Sequence, residues 1–264
     1  MPDRDWVKYK AIRGQSLPEM GEWLGHPWQL AQVLKFDFYA ATGVYERADR
    51  NESAPGLPRQ LLVKVYHQDA FGMIPLGWLG RWLCRRETAQ LNALEGVEGI
   101  PQLLAQHGRS GLVREFICGC NLREHGKTAG LRDDFFPRLR AILTRVHERG
   151  MSHNDLSKPE NVLVSASGLP VLIDFQIALG GPNGNRLTRW LLRPLIQYLQ
   201  GVDRYHLGKI HRRFRPFDFT AAELEEARRK GLIVHLHGYV RRPYRKVRHF
   251  VLDRYLKHEN ASAE

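Results

Sequence analysis

The chain has 264 residues, 43% of them hydrophobic and 26% charged, and its 40 Lys and Arg against 28 Asp and Glu give a formal charge of +12. That balance excludes a disordered or fibrous chain and leaves room for two lobes sharing one cleft. No run of about eighteen apolar residues occurs, and the start at Met1-Pro2-Asp3-Arg4-Asp5-Trp6 lacks an apolar stretch, so neither a transmembrane helix nor a signal peptide is expected. Cys84, Cys118 and Cys120 form neither an even set nor a metal-binding spacing, which predicts reduced thiols in a cytoplasmic protein.

Lys35 to Tyr45 is a strand-and-turn pattern with a single glycine, Gly43. Asp49 to Arg59 is polar, with Gly and Pro, and predicts a loop. Leu61 to Tyr66 is a β-rich run containing one lysine, Lys64. Leu76 to Leu94 has apolar residues at helical spacing (Trp78, Trp82, Leu83, Leu91, Leu94) and includes Glu87. Leu112 to Gly119 begins as a further strand. Phe135 to Arg149 has the spacing of a core helix through Phe136, Leu139, Ile142, Leu143 and Val146, and ends at Gly150. His147 on that helix is expected to be packed or at the surface and not a ligand.

The most informative stretch follows. Residues 153–161 read His-Asn-Asp-Leu-Ser-Lys-Pro-Glu-Asn, and thirteen residues after Asn161 comes Asp174-Phe175-Gln176. The short apolar runs Val162 to Val164 and Val171 to Ile173 predict strands that fix these loops. The residue types suit phosphoryl transfer from ATP. Magnesium prefers carboxylate and amide oxygens, which Asp174 and Asn161 supply. Asp155 can orient an acceptor hydroxyl and take its proton, and Lys158 can neutralise charge on the migrating phosphoryl group. A loose transition state needs mainly positioning and charge stabilisation, so few residues suffice.

These motifs resemble those of the protein-kinase-like superfamily, whose catalytic loop is H-R-D-x-x-x-x-N with D-F-G downstream. Asn154 stands for the Arg, Gln176 for the Gly, and one additional residue lies between Asp155 and Lys158. Leu156-Ser157 after the Asp, and Gln176 close behind Asp174, look like the atypical RIO kinases. The resemblance implies an α+β, two-lobed fold, with an antiparallel sheet plus a helix in the N-lobe and a mainly helical C-lobe. It implies an N-terminal extension over 1–26, an N-lobe over 27–116 and a C-lobe with a basic segment over 117–264. It implies that Lys64, paired with Glu87, holds the α/β-phosphates, and that Thr42 and Gly43 form a phosphate loop. Backbone groups near Glu115 and Ile117 would read adenine. Asp203, in Asp203-Arg204-Tyr205-His206-Leu207-Gly208-Lys209-Ile210, would accept hydrogen bonds from the backbone of residues 153–154. Gly180 to Gly201 contains no A-P-E motif and is short for a peptide-docking segment.

The charge is concentrated near the C-terminus. Residues 181–264 hold eighteen Lys and Arg against eight Asp and Glu, with basic runs at Lys209 to Arg215 and Arg241 to Arg248. Such a face suits a membrane surface, an acidic glycolipid or RNA. Leu187 to Leu199 mixes apolar residues with Arg189 and Arg193, suiting either a bilayer interface or packing on the C-lobe. Thr220-Ala221-Ala222-Glu223 is a capping box opening a helix through Lys230, and Asn260 to Glu264 is expected to fray. The expectation is an ATP- and magnesium-dependent serine/threonine protein kinase in the cytoplasm. The alternatives are a glycolipid kinase at the inner membrane face, similar to the lipopolysaccharide core sugar kinases of bacteria, and a nucleotide-binding pseudokinase or ATPase.

Overall fold

Alternating apolar side chains draw the first part of the chain into a sheet. In the computed structural model, which describes residues 17–36, 40–48, 56–67, 70–71, 74–75, 77–128, 130–181 and 186–224, this sheet has six strands. They are β1 (Met20–Trp23), β2 (His26–Phe36), β3 (Ala40–Arg47), β4 (Gln60–Tyr66), β7 (Leu103–His107) and β8 (Gly111–Glu115), in the order β1-β2-β3-β4-β8-β7. Every neighbouring pair is antiparallel. A small hairpin, β5 (Ala70–Phe71) with β6 (Ile74–Pro75), follows β4.

Successive strand residues face opposite sides of the sheet, and here both sides are covered. Ala41, Tyr45, Leu61, Val63, Val65 and Val113 point into one apolar cluster with Leu17, Trp23 and Trp28. The other face, carrying Leu62, Lys64 and Tyr66, turns to α1 (Gly77–Ala93). The sheet therefore takes in Met20 to Trp23, and its core takes in Leu17, all ahead of residue 27. Trp78 and Trp82 share the helical spacing of α1 but are 56% and 49% exposed. The Arg86 guanidinium lies over the Trp82 ring at 5.2 Å.

After the crossing at residues 116–118 the chain forms β9 (Gly119–Asn121), α2 (Leu122–Thr128) and α3 (Phe135–Glu148). α3 buries Phe135, Phe136, Leu139, Ile142, Leu143 and Val146, matching the predicted stripe. Gly150 stops it at φ +70°, a conformation that favours glycine. Next come β10 (Met151–Ser152), β11 (Val162–Ser165), β12 (Pro170–Leu172), β13 (Leu179–Gly180) and α4 (Arg186–Phe214). The order β12-β11-β9 makes a small sheet, and β10 pairs with β13. Among the described residues no helix is long and apolar enough to cross a membrane.

Met1–Ile210 forms one compact unit and His211–Glu264 another. In the second, Asp218 accepts from His211 at 2.7 Å and from Arg215 at 3.0 Å. The predicted capping box is formed: the Thr220 N–H donates to Glu223 Oε2 at 2.8 Å and the Glu223 N–H to Thr220 Oγ1 at 3.3 Å. The rest of the helix through Lys230, the basic run at Arg241 to Arg248 and the terminus from Asn260 lie outside the described residues, as does most of the loop from Asp49 to Arg59.

Candidate active site

The pairing of Met151 with Gly180 and of Ser152 with Leu179 brings loop 153–161 beside the segment that begins at Asp174. His153 joins the two. Its Nε2 lies 2.9 Å from the Ile173 carbonyl, its Nδ1 accepts the Asp155 N–H at 3.3 Å, and its ring meets Phe175 edge-on at 4.8 Å. These contacts set the tautomer with the proton on Nε2. Asn154 and Asp174 have φ of 67° and 66°, rare for residues with a side chain and common where a loop must aim a functional group. The Asn154 amide donates to Ile177 O at 3.1 Å, a direct tie between the two segments where the family pattern has an arginine.

Asp155, Lys158 and Asn161 converge. Lys158 Nζ lies 2.6 Å from Asp155 Oδ2, and Asn161 Nδ2 donates to the same oxygen and to the Asp155 carbonyl, both at 3.0 Å. The additional residue is absorbed by a turn in which the Lys158 N–H donates to the Asp155 carbonyl at 3.3 Å. A short 3₁₀ turn at Pro159–Asn161 then delivers Asn161 into β11.

Asp203 on α4 braces the loop as predicted. Its carboxylate accepts from the N–H groups of His153 at 2.7 Å and Asn154 at 2.9 Å, and lies 3.2 Å from His147 Nε2. His147 is thus a packed histidine. Gln200, one turn earlier on α4, donates to Met151 O at 2.9 Å and His147 O at 3.0 Å.

Across the cleft Lys64 Nζ pairs with Glu87 Oε2 at 2.7 Å and lies 3.7 Å from Asp174 Oδ1. Burial lowers the Lys64 ammonium, but Glu87 and Asp174 outweigh it and hold the pKa above its ordinary value. Burial likewise raises the Asp174 carboxyl, yet the ammonium groups of Lys64, Lys35 and Lys158 outweigh it and hold the pKa below the usual range.

Three participants escaped the sequence reading. Tyr66, two residues after Lys64 and so on the same face, donates its hydroxyl to Glu87 Oε2. Arg86 Nη2 donates to Ala178 O at 2.7 Å, linking α1 to the segment after Asp174. Arg114 stands opposite Leu62 in the β4/β8 ladder, which puts it on the cleft face with Lys64. Strand alternation was the signal for Tyr66 and Arg114.

Thr42 and Gly43 do not form the expected loop. Thr42 and Gly43 lie inside β3, opposite Lys64 and Val63, with their backbone in the sheet ladder. A Cβ on Gly43 would meet Leu30 at 2.7 Å and Leu17 at 3.0 Å, so this glycine serves packing. Thr42, directly across from Lys64, has its side chain on the cleft face. Residues 37–39, between β2 and β3, lie outside the described residues. At the lobe crossing, the Glu115 N–H donates to Gln102 O at 3.0 Å, and the Glu115 carbonyl accepts Arg114 Nη1 at 3.2 Å, leaving it one lone pair. Ile117 is half-buried in the crossing segment.

Magnesium fits these residues. Asp174 Oδ1 is buried without a hydrogen-bond partner, since 3.7 Å to Lys64 exceeds hydrogen-bond range. Asn161 turns its amide nitrogen to Asp155, which leaves its oxygen as a donor for a metal. Among the described residues no cluster of three His, Cys, Asp or Glu could hold a metal by itself. A carboxylate and an amide completed by phosphate and water oxygens is the arrangement magnesium favours.

The two-lobed architecture is a kinase-like fold, and the comparisons show what the chain is similar to. No protein-family model matches the chain. A crystal structure of the Rio2 kinase–ADP/Mg²⁺–phosphoaspartate complex from Chaetomium thermophilum is similar, with a TM-score of 0.50 and 15% identity over 78% of this chain and 58% of that one. Cyclin-dependent kinase 20 of Homo sapiens is 41% identical over 145 residues, 47% of this chain and 42% of the relative. Its Pongo abelii counterpart is 41% identical over 76 residues. The chain thus spans under half the length of these curated relatives. Its fold resembles that of the atypical RIO kinases.

Proposed function

We propose that the protein is an atypical kinase that transfers the γ-phosphate of ATP to a serine or threonine hydroxyl of a protein. The observation that carries this reading is the convergence of Lys158 and Asn161 on the Asp155 carboxylate, with Asp174 and Lys64 3.7 Å apart beside it. Two hydrogen bonds to Oδ2 fix that carboxylate and leave Oδ1 to accept the O–H of the substrate. As the hydroxyl oxygen bonds to the γ-phosphorus, its proton passes to Asp155, and the bond from the γ-phosphorus to the bridging oxygen breaks with its electrons leaving on ADP. Lys158 offsets charge on the transferred group. Lys64, held by Glu87 and Tyr66, offsets charge on the α/β-phosphates. In this reading the Thr42 side chain would meet a phosphate, and backbone groups near Glu115 and Ile117 the adenine base. Asp174 and Asn161 would hold magnesium, which supplies charge neutralisation to the phosphate oxygens when bound.

A glycolipid acceptor at the inner face of a membrane is the second reading. It keeps every residue in its role, and the exposed apolar side of α4 favours it. Transfer of labelled γ-phosphate from Mg-ATP into a host lysate, separated into protein and lipid fractions, tests the first reading. Label in protein that disappears with Asp174→Ala supports it. Label confined to lipid supports the second, and hydrolysis without transfer points to an ATPase.

A further inference from the structure

α4 is amphipathic in an unusual sense: both of its faces are apolar, and among the described residues only one is covered. Ile196, Leu207 and Ile210 are buried, and Asp203 beside them grips the catalytic loop. Roughly opposite, at steps of three and four residues, Leu187, Trp190, Leu191 and Leu195 are 63%, 68%, 60% and 46% exposed. Large exposed apolar patches on a protein surface mark contact sites.

The charge pattern identifies the partner. No Asp or Glu falls between Asp174 and Asp203, whereas Arg186, Arg189, Arg193 and then Arg204 recur through the helix sequence. On a regular helix Arg193 and Arg204 share one side, away from the apolar row. Arg193 and Arg204 are exposed. An apolar strip with a purely basic flank is complementary to an anionic bilayer, where rings and aliphatic chains enter the headgroup boundary and guanidinium groups meet lipid phosphates. No described helix can span a bilayer, so this one would lie on its surface.

We infer that the outward face of α4, Leu187 to Leu195, docks the protein on an anionic lipid bilayer. The same helix is hydrogen-bonded to the backbone on either side of the catalytic loop's start, through Gln200 to Met151 and Asp203 to His153 and Asn154. Docking therefore holds Asp155 at a fixed attitude to the membrane surface. It does not depend on which acceptor the cleft serves, and its failure leaves the kinase reading standing.

The test is sedimentation of the full chain with vesicles of phosphatidylglycerol and phosphatidylcholine, or of phosphatidylcholine alone. The intact protein binds the anionic vesicles and not the neutral ones. Trp190→Gln with Leu191→Gln lowers the partition coefficient at least about tenfold, because each large apolar side chain contributes appreciably when buried. Arg193→Gln lowers it about fivefold at low salt and less at high salt. Nucleotide binding by both variants stays at the intact protein's level and reports that they are folded. Equal binding of the intact protein and the double variant would overturn the inference, since the basic surface alone would then account for adsorption. So would absence of binding, or a dimer in analytical ultracentrifugation that the double variant dissociates, which would make a second copy the occupant.

Discussion

The two sides of the cleft hold their charged groups by different means. On the C-lobe side Asp155, Lys158 and Asn161 come from one short loop, and a single distant residue, Asp203, fixes the backbone they stand on. On the N-lobe side Lys64 is set by a helix residue, Glu87, which is held in turn by a strand tyrosine, Tyr66. The first arrangement is local and backbone-braced. The second depends on α1 keeping its place against β4, and α1 is tied to the segment after Asp174 through Arg86 and Gln90. The proposed function would then put the chemistry on the backbone-braced loop and leave the hold on nucleotide to the side whose geometry depends on α1.

Substitutions on the two sides should separate along that line. The largest effect belongs to Asp174→Ala, which removes the oxygen that fits magnesium. It lowers turnover by about a thousandfold or more in a phosphoryl-transfer assay while the circular-dichroism spectrum is unchanged. Asp203→Ala leaves the buried N–H groups of His153 and Asn154 without an acceptor, at about 1–3 kcal/mol each. It should lower both Tm and kcat, with KM for ATP little changed. Lys64→Ala should raise KM for ATP about tenfold or more with a folded spectrum. Tyr66→Phe should raise it by a few-fold, because Glu87 then loses one of its two anchors. An equal fall in kcat for the N-lobe and C-lobe variants would erase the contrast.

The smallest effect is in pH. The Asp174 carboxyl is held below its ordinary value, so its ionised form is present above the ordinary carboxylate range and is lost only as pH falls through the lower folded value. Titrating nucleotide affinity from about pH 8 to about pH 5 should reveal no step from this group. A step near pH 6 that vanishes in Asp174→Asn would contradict the charge balance drawn here.

Side-chain chemistry was legible in the sequence, and backbone geometry was not. The structure brings Lys158 and Asn161 onto the Asp155 carboxylate and sets Asp174 3.7 Å from Lys64, a grouping that the residue types and spacings of the two motifs anticipated. Lys64 and Glu87 could be found because a lone lysine in an apolar strand and a glutamate in the next helix are few. Asp203 was found through the resemblance of the stretch Asp203 to Ile210 to a family motif, and the structure gives its buried carboxylate the two backbone donors expected. A phosphate cradle made of N–H groups leaves no such trace, so Thr42 and Gly43 were taken for a loop although both belong to β3. The boundary drawn at residue 26 missed β1, since a four-residue strand containing one glycine carries little periodicity. The exposed strip on α4 was left between two readings because spacing shows that a helix has an apolar face and not whether that face is covered.

The central claim is that loops 153–161 and 174–176 form one phosphoryl-transfer centre. It is tested most directly by ADP release from Mg-ATP in the presence of host extract, with the intact protein, Asp155→Asn and Asp174→Ala compared at matched nucleotide occupancy. The account predicts turnover by the intact protein and its loss in both variants, with nucleotide still bound by Asp155→Asn. Turnover that persists in both variants would contradict it.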